Sequence, residues 1–145
     1  MRLKDFDFRI WDKGEETLTY ASKDWKLGIG FSNPQQDYGV CESVLHAYYD
    51  GEPLCPDDCE IELWSGFYDS KGTKIYEGDI VCIDSNEYII GFDNSEFYLV
   101  NKEAYIQRDE EMVLGRVKDR MQISGVIEVL GNIHENAELL YEREI

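Results

Sequence analysis

The fold is decided by the stretch Trp64-Ser-Gly-Phe-Tyr-Asp-Ser-Lys-Gly-Thr-Lys-Ile-Tyr-Glu-Gly-Asp-Ile-Val81. Two short apolar runs flank a turn at Asp69-Ser-Lys-Gly72, and a second glycine turn, Glu77-Gly-Asp79, precedes a β-branched run. Short antiparallel strands joined by tight turns have this pattern. The stretch therefore predicts a β-rich fold, and it contains no pairing of a nucleophile with a base.

The rest of the second half continues this pattern, which is typical of a small meander or barrel. We expect a further strand at residues 126–130 to close or extend the barrel, with Gly125 favouring a bulge beside it. A short helical turn is expected at residues 136–140, whereas residues 103–121 fit neither the helical nor the strand period. The three strands predicted to be successive and antiparallel are residues 80–83, 87–91 and 97–100.

The first half of the chain has a weaker pattern. Alternation of apolar and polar residues over 6–11 predicts a first strand with one apolar face, and residues 17–20 can return as a second strand. The interval 21–59 is expected to be irregular, because residues 28–39 mix Gly, Ser, Asn, Pro and Gln and turn residues follow at 50–58. Within it, residues 40–49 fit both one face of a helix and a strand, so both alternatives stay open.

Composition indicates one domain. The chain has 145 residues, of which 43% are hydrophobic and 13% aromatic, which is enough to bury an ordinary core and too apolar for disorder. We expect a single domain, 1–145, whose barrel comes mainly from residues 60–145. The N-terminal strands at 6–20 and the interval 21–59 are expected to pack on it.

The charge limits the partners. Thirty-one acidic and 14 basic residues give a net charge of −17, which opposes direct binding to nucleic acid or to an anionic membrane. No run of about 18 apolar residues predicts a membrane helix, and residues 1–11 lack the apolar core of a signal peptide. We therefore expect a cytoplasmic protein with free thiols, no membrane partner and no cofactor.

Two groups of potential metal ligands have simpler structural interpretations. Glu77 and Asp79 could share a divalent cation, but their turn predicts that Gly78 has a positive φ and that Asp79 accepts backbone hydrogen bonds. A zinc site can also be written from Cys41, His46, Cys55 and Cys59. It lacks a second Cys-x-x-Cys knuckle, so we predict no structural zinc.

Three blocks of the sequence carry a family resemblance. They are Phe8-Arg-Ile-Trp-Asp12, the run at residues 65–81, and Val129-Leu-Gly-Asn-Ile-His-Glu-Asn-Ala-Glu-Leu-Leu140. Their content, order and spacing resemble the YopX family of phage and prophage proteins, whose pattern has Thr, Leu, Tyr and Pro in place of Ser65, Phe67, His134 and Ala137 here. The residues that carry the motif are Trp11, Asp12, Gly66, Asp69, Gly72, Tyr76, Glu77, Gly78, Asp79, Gly131, Asn132, Glu135 and Asn136.

The resemblance implies a mainly β fold that contains a small SH3-like barrel, with extra N-terminal strands and short helical segments. It also implies an origin in a bacteriophage or prophage, and hence the cytoplasm of a bacterial host. It implies no activity. Because the sequence supplies no catalytic constellation either, we predict that the protein is not an enzyme.

Two functions fit these features. The favoured one is a phage accessory protein that binds an unknown host or phage protein as a non-catalytic module. The alternative is an acidic decoy that mimics the phosphate ladder of DNA and occupies a host enzyme that binds nucleic acid.

The chain is also expected to form homo-oligomers. Edge strands at residues 17–20 or 60–64 can pair with a second copy and remove exposed backbone groups from water. Within residues 60–64, Ile61 and Leu63 are predicted to share one face of the strand, with Glu60, Glu62 and Trp64 on the other.

Overall fold

The computed structural model describes residues 2–32, 44–107, 113–122 and 126–141. The fold is mainly β, as predicted. The helices are Lys102–Gln107 (α1), Val117–Gln122 (α2) and Glu138–Tyr141 (α3), with a 3-10 turn at Leu3–Asp5. The strands are Phe8–Asp12 (β1), Thr17–Tyr20 (β2), Leu27–Ser32 (β3), Val44–Tyr49 (β4), Glu52–Pro53 (β5), Cys59–Tyr68 (β6), Lys74–Tyr76 (β7), Asp79–Ile83 (β8), Asn86–Asp93 (β9), Glu96–Asn101 (β10), Val113–Arg116 (β11) and Ile127–Asn132 (β12).

The chain forms two compact units. The N-terminal unit is Asp7–Glu62, and the C-terminal unit is Leu63–Ile145 together with Met1–Phe6. The boundary between the units falls within β6. The expected single domain, 1–145, stays a prediction.

In the N-terminal unit, β1 and β2 form the predicted antiparallel hairpin, in which Trp11 is opposite Leu18. The interval 21–59, expected to be irregular, contains the antiparallel sheet β3-β4-β5. Its glycines do not break β3, because six consecutive residues pair with β4 and the pairing outweighs local propensity. For residues 40–49 both a helix and a strand were possible. The structure has a strand over Val44–Tyr49, and residues 40–43 lie outside the described part.

Charged side chains occupy the core of this unit, which the alternation did not predict. Arg9 is 1% exposed and Glu62 is 5% exposed, whereas Ile61 is 39% exposed. The predicted alternation of residues 60–64 left open which face is buried, and the structure buries Glu62 while Ile61 stays partly exposed. The physical reason is an ion pair, in which Arg9 Nε lies 2.8 Å from Glu62 Oε1 and compensates the burial of both charges.

The C-terminal unit contains a five-stranded sheet, curled into a half-barrel, with the order β11-β10-β9-β8-β12. The predicted strands at 80–83, 87–91 and 97–100 correspond to β8, β9 and β10, which are successive and antiparallel. The strand predicted at 126–130 is β12, which pairs with β8 and extends the sheet. This part of the prediction is confirmed.

Side chains cover both faces of this sheet. One core cluster contains Ile75, Val81, Ile83, Ile90, Leu99, Val117 and Ile127. On the other face, Ile80 and Ile89 pack with Leu140 of α3, the helical turn expected near residues 136–140. Both clusters are almost fully buried, so the β-branched runs that predicted the strands also supply the core.

Three local expectations have different outcomes. The ambiguous interval 103–121 includes most of α1, all of β11 and part of α2. Gly125 lies outside the described residues, and the register of β12 shifts instead between Val129 and Gly131. Residues 60–64 are not an edge strand, because β6 has β1 and β7 as neighbours, whereas β2 does lie at the edge of its sheet.

Candidate functional site

An apolar cavity of about 120 Å³ lies within the N-terminal unit. Ile29 of β3 and Ala47 of β4 are directly opposite each other and present one face to it. Pockets for drug-sized ligands measure about 300–1,000 Å³. A cavity of this volume therefore suits one side chain rather than a cofactor. Its apolar lining includes Ile10, Ile29, Leu45, Ala47, Leu54 and Ile61.

His46 and Cys59 are the two titratable residues of the lining, but the His46 side chain lies on the face of β4 opposite to Leu45 and Ala47. The Nε2 atom of His46 is buried and has no hydrogen-bond partner among the described residues. Burial raises the pKa of the Cys59 thiol, and the charges of Asp12, Cys55 and Asp58 raise it further. The thiol thus stays protonated near neutral pH, and a protonated thiol is a poor nucleophile.

Acidic residues surround the Cys59 end of the cavity. The turn after β1 is held by Asp12, whose Oδ1 accepts the Gly14 N–H at 2.9 Å. The same turn contacts the segment before β6, because the Lys13 N–H donates to the Asp58 carbonyl at 2.8 Å. Over Asp7–Glu62 the sequence has thirteen acidic and four basic residues, so the mouth of the cavity lies in a negative field.

Exposed apolar side chains continue from the cavity to the surface. Leu45 and Ile61 line the cavity and are 43% and 39% exposed. Phe31 is directly opposite Leu45 in the β3–β4 ladder and is 74% exposed. A grouped apolar surface of this kind is typical of binding sites.

Asp69 joins the first motif turn to β12 within the C-terminal unit. One carboxylate oxygen accepts the N–H groups of Lys71 at 2.9 Å and Thr73 at 2.8 Å, and the other accepts the Val129 N–H at 3.0 Å. Burial opposes ionisation, but the hydrogen bonds from Val129, Thr73 and Lys71, with the Lys71 charge, together lower the pKa of Asp69. The turn closes through a bond of 3.1 Å from the Gly72 N–H to the Asp69 carbonyl.

The second motif turn has the predicted structural role. Gly78 has a φ of 84°, and its N–H donates to the Ile90 carbonyl at 2.8 Å. Asp79 is 2% exposed and accepts the Tyr76 N–H at 2.8 Å. Glu77 donates its N–H to the Leu63 carbonyl at 3.1 Å. The turn therefore fixes the entry into β8.

The C-terminal block forms a third turn. Asn132 Oδ1 accepts the N–H groups of His134 and Glu135 at 3.0 and 2.8 Å, and its Nδ2 donates to Glu135 Oε1 at 2.9 Å. Asn136 Oδ1 accepts the Asn132 N–H at 3.1 Å. A Cβ on Gly131 would lie 2.4 Å from that same oxygen. Glycine at this position is thus required by close packing.

The motif residues are divided between the two units. Trp11 and Asp12 lie in the N-terminal unit, and the remaining members lie in the C-terminal unit. Gly66, with a φ of 88°, lies at the register shift of β6 between Trp64 and Tyr68. The motif positions whose contacts are described hold turns and irregularities of the backbone. Of the residues that line the cavity, the sequence proposed only His46 and Cys59 as candidate ligands.

The proposed zinc ligands are only partly described. Cys41 lies outside the described residues, and Cys55 and Cys59 are free thiols. Among the residues that the structure describes, no group of three His, Cys, Asp or Glu side chains is arranged to hold a metal. The expectation of no structural zinc stays a prediction. In the same described ranges, no helix has the length and apolarity needed to cross a membrane.

The comparison with sequence families decides the relationship. The model of the family described as YopX protein matches residues 7–141. The chain belongs to the YopX family. This confirms the resemblance seen in the three sequence blocks.

Two solved structures are similar to this YopX-family chain. Protein EF1440 from Enterococcus faecalis is 20% identical, with a TM-score of 0.54 over 93% of this chain and 97% of that one. Protein yopX from Bacillus subtilis is 18% identical, with a TM-score of 0.52 over 95% of this chain and 98% of that one. At these identities the likeness concerns the fold alone. Among curated proteins, no match is found.

Proposed function

We propose that this chain is a non-catalytic phage accessory protein that binds another protein through the cavity of its N-terminal unit. It would act in the cytoplasm of the bacterial host. The observation that carries the proposal is the apolar cavity with Leu45 and Ile61 exposed at its mouth. A volume near that of one side chain suits an anchor residue of a partner protein, since such anchors dominate binding energy when they fill a pocket.

The charge around the cavity defines the chemistry of the partner. Asp12 and Asp58 lie close enough to Cys59 to raise its pKa, so the partner segment should combine an apolar anchor with neighbouring Lys or Arg residues. Because His46 Nε2 has no hydrogen-bond partner among the described residues and its side chain lies on the opposite face of β4, it does not form a nucleophile and base pair with the Cys59 thiol, which supports a binding role.

The C-terminal unit is proposed to be an SH3-like barrel that supports this binding role. Two observations support this proposal. The five-stranded sheet is antiparallel, and the turn after β6 covers its edge strand β12. The Ser70 N–H donates to the Ile127 carbonyl at 2.9 Å, and the Val129 N–H donates to Asp69 at 3.0 Å. The turn after β6 thus occupies the open side of β12, as a further strand would in a barrel.

Site-specific photo-crosslinking in host cells tests the proposed site. A photoreactive residue at Leu45 or Ile61 should give a discrete adduct with one protein, which mass spectrometry identifies. The matched control is Val126, which is 67% exposed but lies in the C-terminal unit. The same adduct from Val126, or none from Leu45 and Ile61, would contradict the proposal.

Binding to the identified partner then tests the cavity itself. Ala47→Leu fills the cavity from within and should weaken binding at least tenfold, whereas the control Ala47→Ser should not. Affinity should also fall as salt rises, because the charges at the mouth are screened. A partner that binds nucleic acid and is displaced by duplex DNA, with no effect of Ala47→Leu, would support the acidic decoy instead.

A further inference from the structure

Strand β3 is an edge strand without the usual protection. It lies at the end of the order β3-β4-β5, and no other strand in the described ranges pairs with its outer side. Natural edge strands are guarded by charged residues or proline. The sequence Leu27-Gly-Ile-Gly-Phe-Ser32 has neither, and Phe31 is 74% exposed.

Backbone hydrogen bonds determine which residues of β3 face this open edge. The Asp50 N–H donates to the Lys26 carbonyl at 2.9 Å, just beyond the Leu27–Tyr49 end of the ladder. Bonded and non-bonded pairs alternate along an antiparallel ladder. The two glycines of β3 are therefore bonded to β4, and Ile29 and Phe31 direct their N–H and C=O groups outward.

The hydrogen bonds between β4 and β5 show independently which residues of β3 face the open edge. The Leu54 N–H donates to the Ala47 carbonyl at 2.9 Å, so Ala47 directs its backbone groups toward β5. Its neighbours His46 and Tyr48 then direct theirs toward β3. Both observations leave Ile29 and Phe31 as the outward-facing residues.

We propose that a second copy of the chain pairs with this edge, antiparallel and centred on Gly30, so that the sheet continues as β5-β4-β3-β3-β4-β5. In this register Ile29 of one copy lies opposite Phe31 of the other, and both pairs exchange hydrogen bonds. An aromatic residue opposite a β-branched one is a favourable cross-strand pair. The Gly30 residues of the two copies lie opposite each other. On that face of the sheet, which is not the face of Ile29 and Phe31, no Cβ atoms can clash.

A second copy fits this edge better than a different partner does, because the strand is complementary to itself and has no charge to recognise anything else. The net charge of −17 on each copy acts from a distance and is screened beyond about 8 Å at physiological salt. Pairing uses the edge of both copies, so assembly stops at a dimer. A twofold axis perpendicular to the sheet leaves both cavity-lining faces on the same side, which gives two copies of the proposed binding site.

Mass measurement across protein concentration and salt tests the dimer. The wild-type chain should show twice the monomer mass of 16.9 kDa, more completely as salt rises. Gly30→Asp places like charges opposite each other at the axis and should give a monomer. A Cβ there meets only the Tyr48 ring, at 3.9 Å, so the variant should fold, as circular dichroism would report.

The matched control is Gly28→Asp, on the same strand and face, with nothing within 4 Å of its Cβ. It lies opposite Ser32 rather than opposite itself and should stay dimeric. In addition, Gly30→Cys should form a 30–30 disulfide on mild oxidation, because the Cα atoms of a non-bonded antiparallel pair are about 4.5 Å apart. Gly28→Cys should not form a 28–28 disulfide.

Three results would overturn this inference. The first is a wild-type monomer at every concentration and salt. The second is a dimer unaffected by Gly30→Asp and without the 30–30 disulfide, which would point to another surface such as β2. The third is a photo-crosslink from Phe31 only to a different protein. Since a monomer can still bind a partner through the cavity, failure here leaves the proposed function standing.

Discussion

Arg9 and Glu62 form a buried ion pair that links β1 to β6 in the N-terminal unit. Arg9 Nε lies 2.8 Å from Glu62 Oε1, and the two side chains are 1% and 6% exposed. Arg9 Nη1 also donates to the Tyr20 hydroxyl at 3.2 Å, and the guanidinium lies 5.6 Å from the centre of the Tyr20 ring. One guanidinium therefore holds three strands together.

The first prediction follows from that burial. Glu62→Leu removes the Glu62 carboxylate from the buried guanidinium and should lower the free energy of unfolding by about 3–5 kcal/mol. The double variant Arg9→Met, Glu62→Leu removes both charges and should be more stable than the single variant. Urea unfolding measures both. Costs that simply add in the double variant would contradict this account.

The second prediction concerns Gly78, whose φ of 84° disfavours side chains. Gly78→Val should lower the free energy of unfolding by more than about 2 kcal/mol, because a β-branched residue is strained in this region. Gly28→Val is the control, since its backbone is extended and its Cβ would meet nothing within 4 Å. Equal costs for the two variants would show that φ is not the cause.

The sequence was sufficient to predict those features of the fold that depend on residues close together in the chain. The positive φ of Gly78, the backbone bond to Asp79 and the strand order β8-β9-β10 all follow from turn residues and β-branched runs. These features depend on residues close in sequence. Turn chemistry therefore predicted most of the C-terminal sheet.

Pairing between distant residues was beyond local patterns. Arg9 is separated from Glu62 by 53 positions, and alternation alone does not show that the two side chains are buried against each other. Likewise, the glycines of β3 indicate a loop until their pairing with β4 is known. The cavity has the same origin, because its lining comes from several separated strands and no short motif marks it.

The third prediction concerns the pH dependence of stability through Asp69. Its pKa is lowered in the folded protein, so the ionised form is favoured by folding. The stabilisation is complete above the unfolded pKa of about 3.9 and is lost as the pH falls through the lower folded value. Asp69→Asn should be less stable than wild type at pH 7 and should approach it in acid. A stability difference that is unchanged by pH would contradict this assignment.

The last prediction concerns the Cys59 thiol at the mouth of the cavity. Burial, together with Asp12, Cys55 and Asp58, raises its pKa, so alkylation by iodoacetamide should reach its midpoint above the usual thiol value of about 8.5. Asp58→Asn should move the midpoint down, because one of the negative charges is removed.

Mass spectrometry of the Cys59 peptide across pH measures this midpoint. Repeating the measurement with a chelator tests whether Cys59 is instead a metal ligand. Since no structural zinc is predicted, a chelator should leave the alkylation profile and the fold unchanged. If Cys59 instead resisted alkylation at every pH until the chelator was added, the thiol would be a metal ligand, because a bound metal holds the thiolate away from the reagent.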